Sequence, residues 1–109
     1  MIKAEFFLKN SRFSGFRISG HSGYSDEGSD IVCASVSSAA MLTANMITDD
    51  FRIDASVSAE NKILELKTKN IPDDSPAYRI INALYSHLDF IEQEYGDFIT
   101  LRIIDNTEV

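Results

Sequence analysis

The stretch from Gly20 to Ser38 decides how the rest of the chain is arranged, and it reads G-H-S-G-Y-S-D-E-G-S-D-I-V-C-A-S-V-S-S. It contains the only cysteine of the chain and three of its five glycines. Its order predicts the end of a strand, then His21, a glycine-containing loop, a helix cap at Ser29 or Asp30, and Cys33 in the first turn of a helix. We therefore expect the other elements to hold this loop and this helix in place.

Cys33 occupies a predicted position that favours activation of its thiol. The partial positive charge at the N-terminus of a helix stabilises a thiolate. His21 would supply a base if the glycine-containing loop turned back over the start of the helix. The alternative is that Cys33 is a small core residue beside Ile31, Val32 and Ala34, with His21 in an ordinary turn. A lone cysteine and a lone histidine do not decide between the two.

The same stretch resembles a known family, the bacterial ribosomal-processing cysteine protease family Prp. The resemblance is carried by Gly20-His21, a short loop with glycine, then Asp30-Ile31-Val32-Cys33-Ala34 and Val36-Ser37, and it extends over nearly the whole chain. It implies a cysteine endopeptidase that removes a short N-terminal extension from a large-subunit ribosomal protein. By position it implies that His21 is the general base and Cys33 the nucleophile. It also implies supporting or substrate-contacting roles for Gly20, Asp30 and Ser37, and a homodimer.

Two of these supporting residues have more than one interpretation. Asp30 is a helix cap, an orienter of His21 or a substrate contact. If its carboxylate accepts the N–H of Cys33, that amide cannot also donate to the oxyanion that forms when the thiolate attacks a peptide carbonyl. Either the oxyanion donors then come from the loop, or Ser29 is the cap. Ser37 lies one helical turn after Cys33. It either stands beside the thiol or is a packing serine bonded to its own helix backbone.

Length and composition predict one domain over residues 1–109. The chain has 109 residues and 44% hydrophobic residues, enough to bury a single core. The N-terminal segment alternates in polarity and carries Glu5 and Lys9, which is typical of neither a signal peptide nor a membrane span. A single cysteine excludes an internal disulfide and fits a reducing compartment. We therefore expect a cytoplasmic protein without a membrane partner.

The charge balance bears on the kind of partner. Ten basic and 17 acidic residues give a net charge of −7, which disfavours direct binding to nucleic acid and favours a basic protein partner. The acidity alternatively serves solubility alone. One cysteine and two scattered histidines, His21 and His87, predict no metal site, and we expect no cofactor. His87 is interpreted as a boundary residue beside the apolar stripe of a helix.

Periodicity predicts seven elements in the order ββαββαβ. Turns are expected at Asn10-Ser11 and Glu60-Asn61, and a helix capped by Ser75 with Pro76 at its first position ends at Gly96. The pattern indicates an α+β fold with a mainly antiparallel five-stranded sheet and two helices on one face. The direction of the last strand is left open. The predicted elements are strands at 2–9, 12–19, 52–58, 63–68 and 97–104, a helix at 31–47, and a helix from residue 75.

A function from another class explains part of the pattern. A non-catalytic dimeric module that binds ribosomal proteins during ribosome assembly would account for the acidity, with Cys33 as a packing residue. It would not account for a histidine, a glycine-containing loop and a helix-start cysteine in this order. Cleavage of a ribosomal protein distinguishes the two functions.

Overall fold

The computed structural model describes residues 1–20 and 30–105. These form a five-stranded sheet and two α-helices, and the predicted order ββαββαβ is confirmed. The α-helix that carries Cys33 ends at Asn45 and is followed directly by a π-helical turn over Met46–Asp50. The elements are β1 (Ile2–Lys9), β2 (Arg12–Gly20), α1 (Ile31–Asn45), β3 (Ala55–Glu60), β4 (Ile63–Thr68), α2 (Ala77–Tyr95) and β5 (Ile99–Asp105).

The sheet is mixed, with spatial order β3-β4-β2-β1-β5. Three neighbouring pairs are antiparallel: β1 with β2, β2 with β4, and β3 with β4. The fourth pair, β1 with β5, is parallel, so the direction left open by the sequence is now assigned. A parallel neighbour requires a long crossover, and the crossover to β5 includes α2. The prediction of a mainly antiparallel sheet is therefore confirmed, with one parallel edge pair added.

Both hairpins close with two-residue turns in the left-handed region. Asn10 and Ser11 have φ values of 53° and 65°, as expected for a type I′ turn at the predicted position. The second turn is at Asn61 and Lys62, with φ of 55° and 62°. The prediction of Glu60-Asn61 was wrong by one residue, because Glu60 still pairs with Ile63 in the ladder.

The core lies between one face of the sheet and both helices. Alternation along β1 sends Ile2, Ala4 and Phe6 to this face, and the register sets Phe6 opposite Phe16. Burial of this apolar surface is the main stabilising contribution to the fold. The remaining buried members of the cluster are Ile18, Val32, Val36, Ala40, Ala44, Ile47, Leu66, Ile81, Leu84, Leu88 and Ile99.

The start of α2 lies one residue later than predicted, because Pro76 is the N-cap rather than the first helical residue. The Oγ of Ser75 accepts a hydrogen bond from the Ala77 N–H at 3.2 Å, and Pro76 precedes the first helical residue. Ser75 is buried, so this bond gives the Ala77 amide a hydrogen-bond partner where water cannot provide one.

One helical segment among the described residues, 31–50, is long and apolar enough to cross a membrane by length and composition. Core helices of globular domains share this property. Here one side of the segment, including Val36, Ala40 and Ile47, belongs to the core shared with the sheet and α2. We therefore interpret it as a core helix.

Candidate active site

Gly20 ends β2 in a conformation that only glycine adopts easily. Its φ is +88°, and a Cβ at this position would collide with the carbonyl oxygen of Met1. The chain therefore leaves the sheet here in a direction that depends on the absence of a side chain. Residue 21 follows directly.

Asp30 is the N-cap of α1. Its Oδ1 accepts a hydrogen bond from the Cys33 N–H at 3.0 Å, and its carbonyl oxygen accepts the Ala34 N–H at 3.1 Å. The residue is 7% exposed, so the carboxylate caps the helix from a buried position. This decides between the two caps that the sequence allowed. It also means that the amide of Cys33 is occupied.

Cys33 lies half-buried in the first turn of α1, as predicted. It packs against the edge of the hydrophobic core and lines a cavity of about 390 Å³. The helix N-terminus directs partial positive charge to this region. The thiol is therefore partly exposed at the start of the helix, next to the carboxylate that caps it.

Ser37 lines the same cavity one helical turn further along α1. Ser35, its neighbour on the other side of the helix, donates a hydrogen bond from Oγ to the Ile31 carbonyl oxygen at 2.7 Å. In the described part of the chain no such backbone bond is found for Ser37. Of the two interpretations of Ser37, the position facing the cavity therefore agrees better with the geometry.

The cavity lies between α1, the end of β2 and the β3–β4 hairpin. It brings together Gly20, Cys33 and Ser37, three of the five residues that the sequence singled out. Asp30 is tied to the site through the amide of Cys33. His21, the predicted base, lies outside the described residues. The rest of the lining is mostly apolar: Ile2, Ile18, Ser19, Val36, Ala40, Met41, Ala59, Lys62, Ile63 and Leu64.

The hairpin wall of the cavity was missed by the sequence analysis. Ala59, Lys62 and Leu64 lie far from Cys33 in the chain and belong to no recognisable motif. They reach the site because β4 pairs with β2, which places the hairpin next to the end of β2. Only the pairing of the strands, which the alternating pattern does not specify, could have indicated them.

His87 does not belong to this cavity. It is exposed on α2 and lines a separate groove between the two helices, with Leu42 and Met46 across from it. Within residues 1–20 and 30–105, no group of three or more His, Cys, Asp or Glu side chains is placed to hold a metal ion.

Comparison with known proteins agrees with this arrangement. The family model described as cysteine protease Prp matches residues 1–100. A structure of the essential ribosomal processing protease Prp from S. aureus, in complex with a covalently linked product peptide, has 21% sequence identity and a TM-score of 0.87, covering 95% of this chain and 100% of that chain. The same S. aureus protease with a substrate peptide gives 20% identity and a TM-score of 0.81, with the same coverage of 95% and 100%.

SMU.848 from Streptococcus mutans has 21% identity and a TM-score of 0.78, covering 97% of this chain and 96% of that chain. At these identities the solved structures establish the shared fold. No curated protein sequence is significantly similar to the chain. The family match covers most of the chain, which therefore belongs to the cysteine protease Prp family. The protein is a cysteine protease.

Proposed function

We propose that this protein is an endopeptidase that removes the N-terminal extension of a large-subunit ribosomal protein, with Cys33 as nucleophile and His21 as general base. One observation carries the proposal. Cys33, in the first turn of α1, lines a cavity that is also lined by Gly20, the residue immediately before His21. The family match and the S. aureus structures with bound peptides support the same function.

Chain connectivity supports the pairing of His21 with Cys33. Gly20 lines the cavity, and consecutive Cα atoms of a chain are about 3.8 Å apart. The positive φ of Gly20 sets the direction in which the chain leaves the sheet. A histidine mounted just beyond a strand end has a rigid support on one side, which suits a general base.

The proposed reaction is acyl transfer through a thioester. His21 removes the proton from Cys33 Sγ, and the sulfur attacks the scissile carbonyl carbon. The C–N bond then breaks, and the protonated imidazole gives its proton to the departing amine. Water, deprotonated by His21, hydrolyses the thioester and releases the second product with a new carboxyl group. The thiol is regenerated.

The cap at Asp30 restricts where the oxyanion is stabilised. Because Asp30 Oδ1 already accepts the Cys33 N–H, that amide is not available to the developing negative charge. We therefore propose that the oxyanion donors come from the segment between Gly20 and Asp30. Ser37, one turn along α1 in the same cavity, is proposed as a substrate contact.

The composition of the cavity fits an extended peptide with apolar side chains. Its lining from α1, β2 and β4 is mostly aliphatic, and such surfaces bind apolar side chains next to a peptide backbone. The net charge of −7 favours a basic ribosomal protein over nucleic acid as partner. We place the reaction in the cytoplasm, where a single unpaired cysteine stays reduced.

A homodimer is proposed as the working form. Helix α1 contains no charged residue, although Ile31 and Leu42 are 51% and 65% exposed. An uncharged, partly apolar helix surface on a chain with net charge −7 is the surface where a second copy approaches with least repulsion. Sedimentation velocity would distinguish a dimer from a monomer.

Intact-mass spectrometry tests the function. The purified protein, Cys33→Ala and His21→Ala are incubated with the host's large-subunit ribosomal protein carrying its N-terminal extension. We expect one new truncated mass with the wild-type protein and none with either variant. Cleavage by Cys33→Ala at the wild-type rate, or no cleavage by any form, would contradict the proposal and favour a binding module.

A further inference from the structure

Lys62 is the only charged side chain among the described residues that line the Cys33 cavity. It lies at the tip of the β3–β4 hairpin, on the wall contributed by the hairpin. The other lining residues from α1 and β2 are aliphatic, or carry a hydroxyl or a thiol. Among the described residues, Lys62 is thus the one cationic group on the lining of this cavity, in a chain of net charge −7.

The turn that contains Lys62 does not have the residue that is most stable at its second position. Asn61 and Lys62 both have positive φ, at 55° and 62°. The second position of a type I′ turn is preferentially glycine, because a side chain disfavours this region. A lysine here carries some backbone strain, as Ser11 does at the equivalent position of the β1–β2 turn.

The ammonium of Lys62 has no ion-pair partner among the described residues. The ion pairs of this part of the chain involve Arg12 and Arg17 instead, with Asp73, Glu5 and Glu65 as acceptors. Lys62 is exposed, so water screens its attraction for a carboxylate, but no acidic side chain of the described residues is paired with its ammonium. The cavity thus has one position where a peptide carboxylate would be favoured.

We propose that Lys62 is a substrate-positioning residue whose ammonium binds a peptide carboxylate in the cavity beside Cys33. This carboxylate comes either from an acidic side chain of the substrate or from the new C-terminus created by cleavage. In the first case Lys62 selects the substrate, and in the second it retains the product. This proposal rests on the proposed function, since it takes the cavity to be the peptide site.

Binding measured without catalysis tests Lys62 separately from the protease assignment. Cys33→Ala serves as the background, and the probes are acetylated tetrapeptides of apolar residues, each made with a free carboxylate and with a carboxamide C-terminus. A second set of carboxamides carries Glu or Gln at each position in turn. Calorimetry or fluorescence polarisation gives the ratio of affinities within each pair of probes.

We expect the carboxylate member of one set to bind about two- to five-fold tighter than its neutral partner. A preference in the first set identifies the product carboxylate, and a preference in the second identifies an acidic side chain. Adding Lys62→Gln should abolish the preference, whereas Lys62→Arg should keep most of it. Lys69→Gln, which removes the same charge at a site outside the cavity, should leave it unchanged.

Lys62→Gly separates the turn from the charge. Glycine adopts the positive φ without strain, so this variant should not have a lower melting temperature. It should nevertheless lose the carboxylate preference, as Lys62→Gln does. Equal affinities of neutral and carboxylate probes for the Cys33→Ala background would overturn the proposal. So would a preference that survives Lys62→Gln, or one lost equally in Lys69→Gln. Failure of the protease assignment shows instead as absence of cleavage.

Discussion

At the scale of single residues, the Asp30 carboxylate and the Ser37 hydroxyl differ in their hydrogen bonds. Asp30 caps α1 through the amide of Cys33, whereas Ser37 lines the cavity without a bond to the helix backbone in the described part of the chain. The two residues that the family resemblance grouped together thus differ physically. Asp30 caps the helix, and Ser37 is the residue that we propose as a substrate contact.

Replacing Asp30 should reveal its role as a cap. Asp30→Ala removes the acceptor of the Cys33 N–H and should lower the free energy of unfolding by about 1 kcal/mol. Asp30→Asn keeps an oxygen acceptor, so its free energy of unfolding should fall much less. Urea denaturation followed by circular dichroism measures both. An asparagine variant as unstable as the alanine variant would show that the negative charge, rather than the cap, is what stabilises the fold.

Replacing Ser37 should affect activity and leave stability unchanged. Ser37→Ala removes a hydroxyl from the cavity, so kcat/KM should fall about five-fold, the value of one hydrogen bond. The matched control is Ser35→Ala, on the same helix but bonded to the Ile31 carbonyl oxygen, which should keep full activity. If both variants cleave at the wild-type rate, Ser37 has no contact with the substrate.

At the scale of elements, the site is built where three of them meet: the end of β2, the start of α1 and the β3–β4 hairpin. The strand end fixes the position from which His21 follows, and the helix fixes Cys33. The hairpin is held beside them by pairing of β4 with β2. Displacement of β2 or of the hairpin would change the cavity without moving Cys33, whereas displacement of α1 would move Cys33 itself.

Gly20→Ala should disturb the end of β2. The left-handed φ and the collision of a Cβ with the Met1 carbonyl oxygen should together destabilise the protein by at least about 1 kcal/mol and reduce cleavage. Gly96→Ala is the matched control, because Gly96 has an ordinary helical φ of −60°. Thermal unfolding and the cleavage rate are measured on both. Equal effects of the two substitutions would contradict the requirement for glycine at position 20.

Elements with strong local signals were predicted well from the sequence. Alternation in β1 and the cap of α1 each depend on residues close together in the chain. The parallel pairing of β5 and the hairpin wall of the cavity depend on distant pairings, which no local pattern specifies. The turn at Asn61-Lys62 was missed by one residue, because Lys62 is an unusual choice for a left-handed position.

At the scale of the whole molecule, the net charge of the chain differs from the charge of the described cavity lining. The chain as a whole has net charge −7, whereas the lining of the described cavity is uncharged apart from Lys62. Under the proposed function, long-range attraction to a basic ribosomal protein and short-range recognition of its extension are therefore independent properties. They should respond differently to salt.

Ionic strength provides a test of this separation. Raising the salt from about 50 mM to about 500 mM shortens the Debye length and should lower kcat/KM for the intact ribosomal protein about ten-fold, chiefly through slower association. An uncharged peptide amide spanning the same cleavage site should change less than about two-fold. Initial rates on both substrates give the comparison. Equal salt dependence of the two would show that overall charge does not recruit the substrate.

The central claim, that Cys33 is the nucleophile and His21 its base, is tested most directly by trapping the acyl-enzyme. The protein is mixed with the extended ribosomal protein, quenched in acid within a turnover, and analysed by intact mass and peptide mapping. We predict a thioester adduct on the peptide that contains Cys33, with an added mass equal to that of the released extension minus one water. The adduct should be absent in Cys33→Ala and form far more slowly in His21→Ala. An adduct on another residue, or undiminished cleavage by Cys33→Ala, would contradict the account.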